Sequence, residues 1–265
     1  MTSGAVDISL WQLLLASGLL LVALGASVAL RLGLTKGLAV AATRMVAQLF
    51  LVGLVLDWVF STDSAPLVVA LAVGMALLAG HAAVRRTSRR FRGIWVDALV
   101  SVLGASFLVT GAAVLGILRI DPWYDPQYVI PLHGMLLGNA LTGISLSLDR
   151  FMEGAGRGRA TVEARLALGA TRWEAARPLV RDAVRTGLVP ITNSMAVMGV
   201  VSLPGMMTGQ ILAGAAPADA VRYQILIVFM IAACVALAAL GVVGLAYRRL
   251  FTADHRFHPE RLTDA

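Results

Sequence analysis

Seven long apolar stretches follow one another along this chain, and they constrain its fold more than any other feature of the sequence. A helix needs roughly 20 apolar residues to cross about 30 Å of hydrocarbon. The stretches are too long for the strands of a membrane barrel, and they lack the alternation that such strands require. They are Leu10–Leu30, Gly37–Trp58, Pro66–Ala83, Val96–Leu118, Tyr128–Leu148, Thr186–Leu203 and Tyr223–Tyr247. We therefore predict an all-α, polytopic integral membrane protein with about seven transmembrane helices.

The composition agrees with this prediction and excludes other classes of protein. Hydrophobic residues make up 58% of the chain and charged residues 14%, and the mean hydropathy is +0.82. A water-soluble domain has about 45–50% apolar and about 25% charged residues. Cys234 is the only cysteine, so an intrachain disulfide is excluded, and the sequence contains no Cys/His cluster for structural zinc.

The basic residues predict how the chain crosses the membrane. All but three of the 22 Lys and Arg residues fall in alternate loops or in the C-terminal segment. The positive-inside rule places these regions in the cytoplasm, with the N-terminus outside and the C-terminus inside. Topology then explains the net charge of +7, and we expect no nucleic-acid partner. We predict one transmembrane domain over residues 1–251, with a cytoplasmic loop at about 149–185, and a cytoplasmic tail over residues 252–265.

Motifs for catalysis are missing from the sequence. A phosphate-binding P-loop needs Gly-Lys-Ser/Thr, whereas the only lysine, Lys36, follows Thr35. Neither the HExxH zinc motif nor the Gly-x-Ser-x-Gly nucleophile motif occurs. No apolar stretch holds the pair of buried carboxylates that marks a proton relay. We therefore expect no enzyme activity and no catalytic residues. Energy for any uphill movement of a solute would come from another chain.

The segment Thr161–Pro190, within the predicted cytoplasmic loop, has the pattern of two helices joined by a glycine turn. Val162–Leu168 consists of helix-forming residues and precedes Gly169, which suits the left-handed position after a helix. Thr171 and Glu174 have the spacing of a capping box at the start of a second helix.

Two leucines in this element, Leu166 and Leu168, would be exposed to the cytoplasm unless a partner covers them. An apolar ridge flanked by arginines suits docking in the groove of a partner protein. An amphipathic helix lying on anionic lipid, with its arginines on headgroups, is the alternative interpretation. The periodicity does not decide between them.

Several runs of residues carry a resemblance to known families. Glu163-Ala164-Arg165-x-x-x-Gly169 resembles the EAA loop of ABC transporter permeases, with Arg165 where that pattern has a second alanine. Two longer regions resemble the FetB-type iron export ABC transporter permease family, a group that includes the plant aluminium-tolerance permeases. These regions are Val201–Gly214 with Ala220–Gln224, and Ile130–Asn139 with Ile144–Leu146.

This resemblance implies the membrane subunit of an ABC exporter in the cell inner membrane. Two copies would form a homodimer, served by two copies of a separate ATPase that binds ATP and Mg²⁺, so this chain itself holds no cofactor. The coupling residues would be Glu163, Ala164, Leu166, Leu168, Gly169 and Glu174. Iron is the substrate assigned to bacterial members, whereas plant members are linked to a nucleotide sugar, so the family leaves the substrate open.

Four polar or sulfur-bearing residues in the fifth and sixth stretches are candidates for a transport path. They are Asn139, Asn193, Met198 and His133. A carboxamide inside a span needs a polar partner, which another helix, water or cargo can supply. Packing is the alternative, because methionine commonly fills gaps and a lone histidine is commonly a structural hydrogen-bonding group. Metal ligands remain unknown. A gradient-driven secondary transporter and a non-transporting membrane scaffold or sensor remain the rival classes.

Overall fold

The computed structural model describes residues 8–62 and 64–264, and it confirms the predicted all-α class. Nine α-helices form in these residues. They are α1 (Leu10–Ala29), α2 (Thr35–Ser61), α3 (Ala65–Arg85), α4 (Ile94–Gly111), α5 (Pro126–Arg157), α6 (Arg159–Ala167), α7 (Arg172–Val197), α8 (Gly205–Leu212) and α9 (Pro217–Leu250). A π-helical turn, Ala112–Ile117, continues α4. Two short strands, β1 (Arg89–Phe91) and β2 (Leu262–Asp264), form an antiparallel ladder.

Six of the predicted stretches correspond to helices that are long and apolar enough to cross a membrane. These helices are α1, α2, α3, α4 with its π-helical turn, α5 and α9. The sixth stretch, Thr186–Leu203, differs from the prediction. Its helical part belongs to the 26-residue helix α7, which begins at Arg172 and ends at Val197. All charged residues of α7 lie between Arg172 and Arg185, and Thr186–Val197 carries none. One continuous helix therefore joins the predicted loop to the predicted span, and Pro190 does not end it.

The described chain forms two compact units. One consists of α1 and α2 together with Gly209–Ala216. Within it, the hydroxyl of Thr35 donates to that of Ser27 at 3.0 Å, between the start of α2 and the end of α1. The side chains of both helices are almost all exposed, as expected for helices that face lipid.

The second unit consists of Ser64–Thr208 and Pro217–Ala265, and α5 lies at its centre. Helices α3, α4, α7 and α9 all pack against α5. Several large α5 side chains are fully buried in the core, among them Leu136, Ile144, Leu148 and Phe151. The backbones of α5 and α7 approach closely at Gly187, where an added Cβ would lie 2.7 Å from the Gly143 carbonyl oxygen. Only glycine permits this approach.

The residues predicted as a tail fold back onto the second unit. Strand β2 pairs with β1 in the register Arg90↔Thr263 and Phe91↔Leu262. We call residues 249–264 the C-terminal clasp, because they tie the end of α9 to the segment between α3 and α4. Phe251 is fully buried, and its ring stacks on Phe257 with centroids 4.8 Å apart.

An ion pair anchors the beginning of the clasp. The Arg249 guanidinium donates twice to the Asp97 carboxylate, and both bonds are 2.8 Å long. Asp97 lies in the first turn of α4, and its side chain is only 4% exposed. Gly93 makes room for the guanidinium, because its φ is +90° and a Cβ there would lie 2.7 Å from Arg249 Cζ.

Candidate functional site

The turn between α6 and α7 has the predicted helix–glycine–helix geometry. Gly169 follows the helix with φ +91°. The backbone N–H of Ala170 donates to Arg165 O, and that of Gly169 donates to Leu166 O, both at 3.0 Å. These two bonds form a Schellman motif, which satisfies the last carbonyl groups of α6. We refer to residues 159–174 as the α6–α7 turn.

The predicted capping box at the start of α7 is also confirmed. The Glu174 N–H donates to Thr171 Oγ1 at 3.3 Å, and the Thr171 N–H donates to Glu174 Oε2 at 2.8 Å. The Thr171 hydroxyl also bonds to Glu174 Oε2, at 2.7 Å. The bond from the Thr171 backbone, followed by that from its hydroxyl, holds the pKa of Glu174 below its ordinary value.

The exposed surface of the α6–α7 turn is smaller than predicted. Leu168 is 89% exposed, but Leu166 packs against the hydrophobic core together with the buried Val162. The expectation that both leucines would be exposed is therefore wrong for Leu166. Glu163 and Ala164 are exposed, and Glu163 pairs with Arg159 across one helical turn at 2.7 Å.

The C-terminal clasp reaches the α6–α7 turn, a contact that the sequence analysis missed. The backbone N–H of Arg172 donates to His255 Nδ1 at 3.0 Å. Trp173 packs edge-on against Tyr247 of α9, with ring centroids 5.6 Å apart. These contacts join the start of α7 to the end of α9. The spacing of Tyr247 and Phe251, four residues apart on one helix face, was the only available sequence signal.

The two asparagines predicted along the path do not meet. Asn139 is exposed on α5, and its Nδ2 donates to the Met135 carbonyl of its own helix at 2.9 Å. Asn193 is exposed on α7 and borders a groove between α7 and α9. The Asn139 amide donor, which would be costly to leave unpaired in hydrocarbon, is therefore satisfied by a carbonyl of its own helix.

His133 is fully buried between α4 and α5. Its Nδ1 lies 3.0 Å from the Thr110 hydroxyl, and its ring packs edge-on against Phe107 with centroids 4.9 Å apart. Nε2 has no hydrogen-bond partner among the described residues. These contacts are typical of a structural histidine in a packed core, and the side chain has no access to solvent.

Met198 directly follows the last residue of α7 and lines a cavity of about 500 Å³ within the second unit. Met195 and Met207 also line it, and Gln224 contributes from α9. Gln224 is 8% exposed, and its Oε1 has no partner among the described residues. Within residues 8–62 and 64–264, no three His, Cys, Asp or Glu side chains group to hold a metal ion.

Comparison with known proteins identifies the family of this chain. The family described as Uncharacterised protein family (UPF0014) matches residues 10–251, nearly the whole sequence. The chain belongs to the UPF0014 family. The UPF0014 membrane protein slr1647 of Synechocystis is 37% identical over 238 residues, which cover 88% of this chain and 92% of the relative.

Two other UPF0014 relatives carry functional names. The Probable iron export permease protein FetB of Escherichia coli is 31% identical over 245 residues, covering 92% of this chain and 93% of the relative. Protein ALUMINUM SENSITIVE 3 of Arabidopsis thaliana is 30% identical over 214 residues, covering 81% and 77%. The predicted resemblance to FetB-type permeases and to the plant group is confirmed. No solved structure gives a significant match. This UPF0014 protein is a multi-pass membrane protein of a family that includes permeases.

Proposed function

We propose that this UPF0014 protein is the membrane-spanning permease subunit of an ABC exporter, powered by a separate ATPase. The observation that supports this most strongly is the α6–α7 turn, in which a Schellman-terminated helix presents Leu168 at 89% exposure beside a capped helix. A rigid apolar knob of this kind suits the groove of a partner protein. Two copies of the permease and two of the ATPase, which binds ATP and Mg²⁺, would form the complex in the cell inner membrane.

Helix α7 offers a route from this turn into the membrane. Its 26 residues rise about 39 Å, from the capping box at Thr171 to the cavity at Met198. The close contact at Gly187 fixes α7 against α5 part-way along. ATP binding would bring the two ATPases together and push on the α6–α7 turn. Helix α7 would then move the walls of the Met198 cavity as a lever.

Iron is the cargo that we propose, and the exporter would carry it out of the cell. The name of the Escherichia coli relative, Probable iron export permease protein FetB, supports this proposal. Fe(II) has little need of thioether ligands. Met195 and Met207, which also line the Met198 cavity, are therefore assigned to packing. Asn139, Asn193, Met198 and His133 remain our candidates for the lining of the path, with no thioether bond to the metal required.

Photo-crosslinking from position 168 tests the ATPase partnership. A photoreactive amino acid at Leu168 should capture an ABC-type ATPase in native membranes, identified by mass spectrometry. The control is the same amino acid at Trp123, which is 48% exposed and lies in a loop that we predict on the opposite side. It should capture no ATPase. Crosslinks from position 168 to lipid alone would contradict the proposal and favour the interpretation as a lipid-surface helix. Transport driven by an ion gradient without any ATPase would favour a secondary transporter.

A further inference from the structure

A groove of about 740 Å³ runs along the outer face of α7, beside α9. Three arginines line it: Arg177, Arg181 and Arg185. Because they are four residues apart, they lie on one face of the helix, about 6 Å from each other along its axis. Apolar side chains, among them Val184 and Leu188 of α7 and Leu240 of α9, line the rest of the groove.

The three arginines carry charge that the protein does not balance. None of them forms an ion pair or a side-chain hydrogen bond with another described residue. Asp182, the acidic residue nearest to them in sequence, bonds instead to Arg150, whose Nε lies 2.7 Å from Asp182 Oδ2. Like charges four residues apart on a helix repel one another. The arrangement therefore favours an anion in the groove.

The apolar part of the groove, together with its arginines, suits an amphiphilic ligand. Leu240 lies ten residues before the end of α9, about 15 Å along the helix axis, and α9 is apolar enough to cross a membrane. Leu188 lies about 16 Å along α7 from Arg177. Trp173, which is 48% exposed, stands at the arginine end, as aromatic residues do at membrane interfaces. The groove is thus positively charged at one end and apolar at the other, which matches the anionic headgroup and the acyl chains of a phospholipid.

We propose that this groove binds an anionic phospholipid of the leaflet next to the α6–α7 turn, with its phosphate on the three arginines and its acyl chains along Leu188 and Leu240. Basic pockets beside transmembrane helices commonly bind such headgroups on the cytoplasmic side. A second copy of this chain is a poorer occupant. Of the acidic side chains described on the predicted cytoplasmic side, all but Asp254 already bind a partner within the chain.

Native mass spectrometry of the purified full-length protein tests this site. The probes are phosphatidylglycerol and phosphatidylcholine with identical acyl chains, and glycerol 1-phosphate as a soluble anion. We expect phosphatidylglycerol to be retained at least about tenfold better than phosphatidylcholine. The R177Q/R181Q/R185Q variant should lose this preference. The matched control is R85Q/R86Q/R92Q, which removes the same charge from other exposed arginines on the same predicted side and should keep it.

The floor of the groove provides a second variant in case the triple substitution fails to fold. Leu188→Asn keeps all three arginines, so it should weaken phosphatidylglycerol retention and leave binding of glycerol 1-phosphate unchanged. Unaltered lipid preference in the arginine variant, or an equal loss in the control, would overturn the proposal. Glycerol 1-phosphate bound as tightly as the lipid would identify a soluble-anion site instead. A change from dimer to monomer in the arginine variant, with lipid retention intact, would identify the groove as a contact between copies. None of these results depends on an ATPase.

Discussion

The α6–α7 turn and the C-terminal clasp touch at Arg172 and His255, yet they are held together in different ways. The Schellman motif and the capping box that close the α6–α7 turn join residues at most five positions apart. The Ala170 N–H donates to the Arg165 carbonyl, and the Thr171 N–H donates to the Glu174 carboxylate. The clasp depends on pairs 83 positions apart, at Arg172 and His255, and 152 apart, at Asp97 and Arg249. The turn is therefore fixed by local chemistry, and the clasp forms only when the helices have packed.

This difference suits the proposed function. A docking element must keep its shape while its surroundings move, and the Schellman motif and capping box provide that rigidity. The clasp connects the start of α7 with the end of α9 through His255 and through the contact between Trp173 and Tyr247. In the proposed function, movement at the α6–α7 turn would reach α9 through these contacts. Substituting one residue in each region separates the contribution of the clasp from that of the α6–α7 turn.

The largest effect should come from Arg249→Met, which breaks the clasp. The substitution leaves the Asp97 carboxylate buried without its cation, and such a loss costs about 3 kcal/mol. We expect a clear fall in the melting temperature of the detergent-solubilised protein. The double variant Asp97→Asn/Arg249→Met should recover part of this loss, because it removes the buried charge as well.

Arg248→Met is the matched control for this prediction. Arg248 is the neighbouring residue, it is exposed, and it forms no ion pair with the rest of the described chain. Its substitution should leave the melting temperature nearly unchanged. An equal fall in both variants would mean that general positive charge at the end of α9, and not the pair with Asp97, stabilises the clasp.

A smaller effect on stability should come from Gly169→Val, which breaks the α6–α7 turn. A β-branched residue in the left-handed conformation costs about 1–2 kcal/mol. Steric crowding does not add to this cost, because no heavy atom lies within 4 Å of a Cβ added at Gly169. ATPase stimulation should fall far more than membrane insertion. Gly169→Asn is the control, because asparagine tolerates positive φ and should keep most of the coupling. Full coupling in the valine variant would contradict a docking role for the turn.

The same contrast explains which features could be predicted from the sequence. Apolar length predicted seven spans, six of which are long apolar helices in the structure, and Gly169, Thr171 and Glu174 predicted the α6–α7 turn. Each of these signals is contained within a few neighbouring residues or within one helix. Nothing near Asp97 indicates that its partner is Arg249, since the pair exists only after α4 and α9 have packed. The ladder of β1 and β2 was missed for the same reason.

The polar residues of the fifth and sixth predicted stretches show a second limit of sequence reasoning. A polar side chain in an apolar stretch signals that it needs a partner, but it does not say which one. Asn139 uses a carbonyl of its own helix, His133 uses Thr110, and Asn193 faces a groove. Successive residues of a helix point in directions that differ by 100°. The neighbour that a given side chain meets therefore depends on how the helices pack, which the sequence does not show. Whether Asn139, Asn193, Met198 and His133 contact cargo stays a prediction.

The smallest effect should come from Glu174→Gln, which tests the charge in the capping box. Glutamine can still accept from the Thr171 N–H, so the box keeps its geometry and loses only the carboxylate charge. The bonds from Thr171 lower the pKa of Glu174 in the folded protein. A carboxyl whose pKa is lower in the folded than in the unfolded protein stabilises the fold at pH values above its unfolded pKa, which is about 4.3 for glutamate. This contribution is lost as the pH falls through the pKa of the folded protein. The melting temperature of the wild type should therefore exceed that of Glu174→Gln at pH 7, and the difference should shrink as the medium is acidified below pH of about 4.

Asp254→Asn, at an exposed carboxyl of the clasp, is the control and should show no such trend. A difference between the wild type and Glu174→Gln that stays constant with pH would show that side-chain shape, and not charge, accounts for the contribution of Glu174.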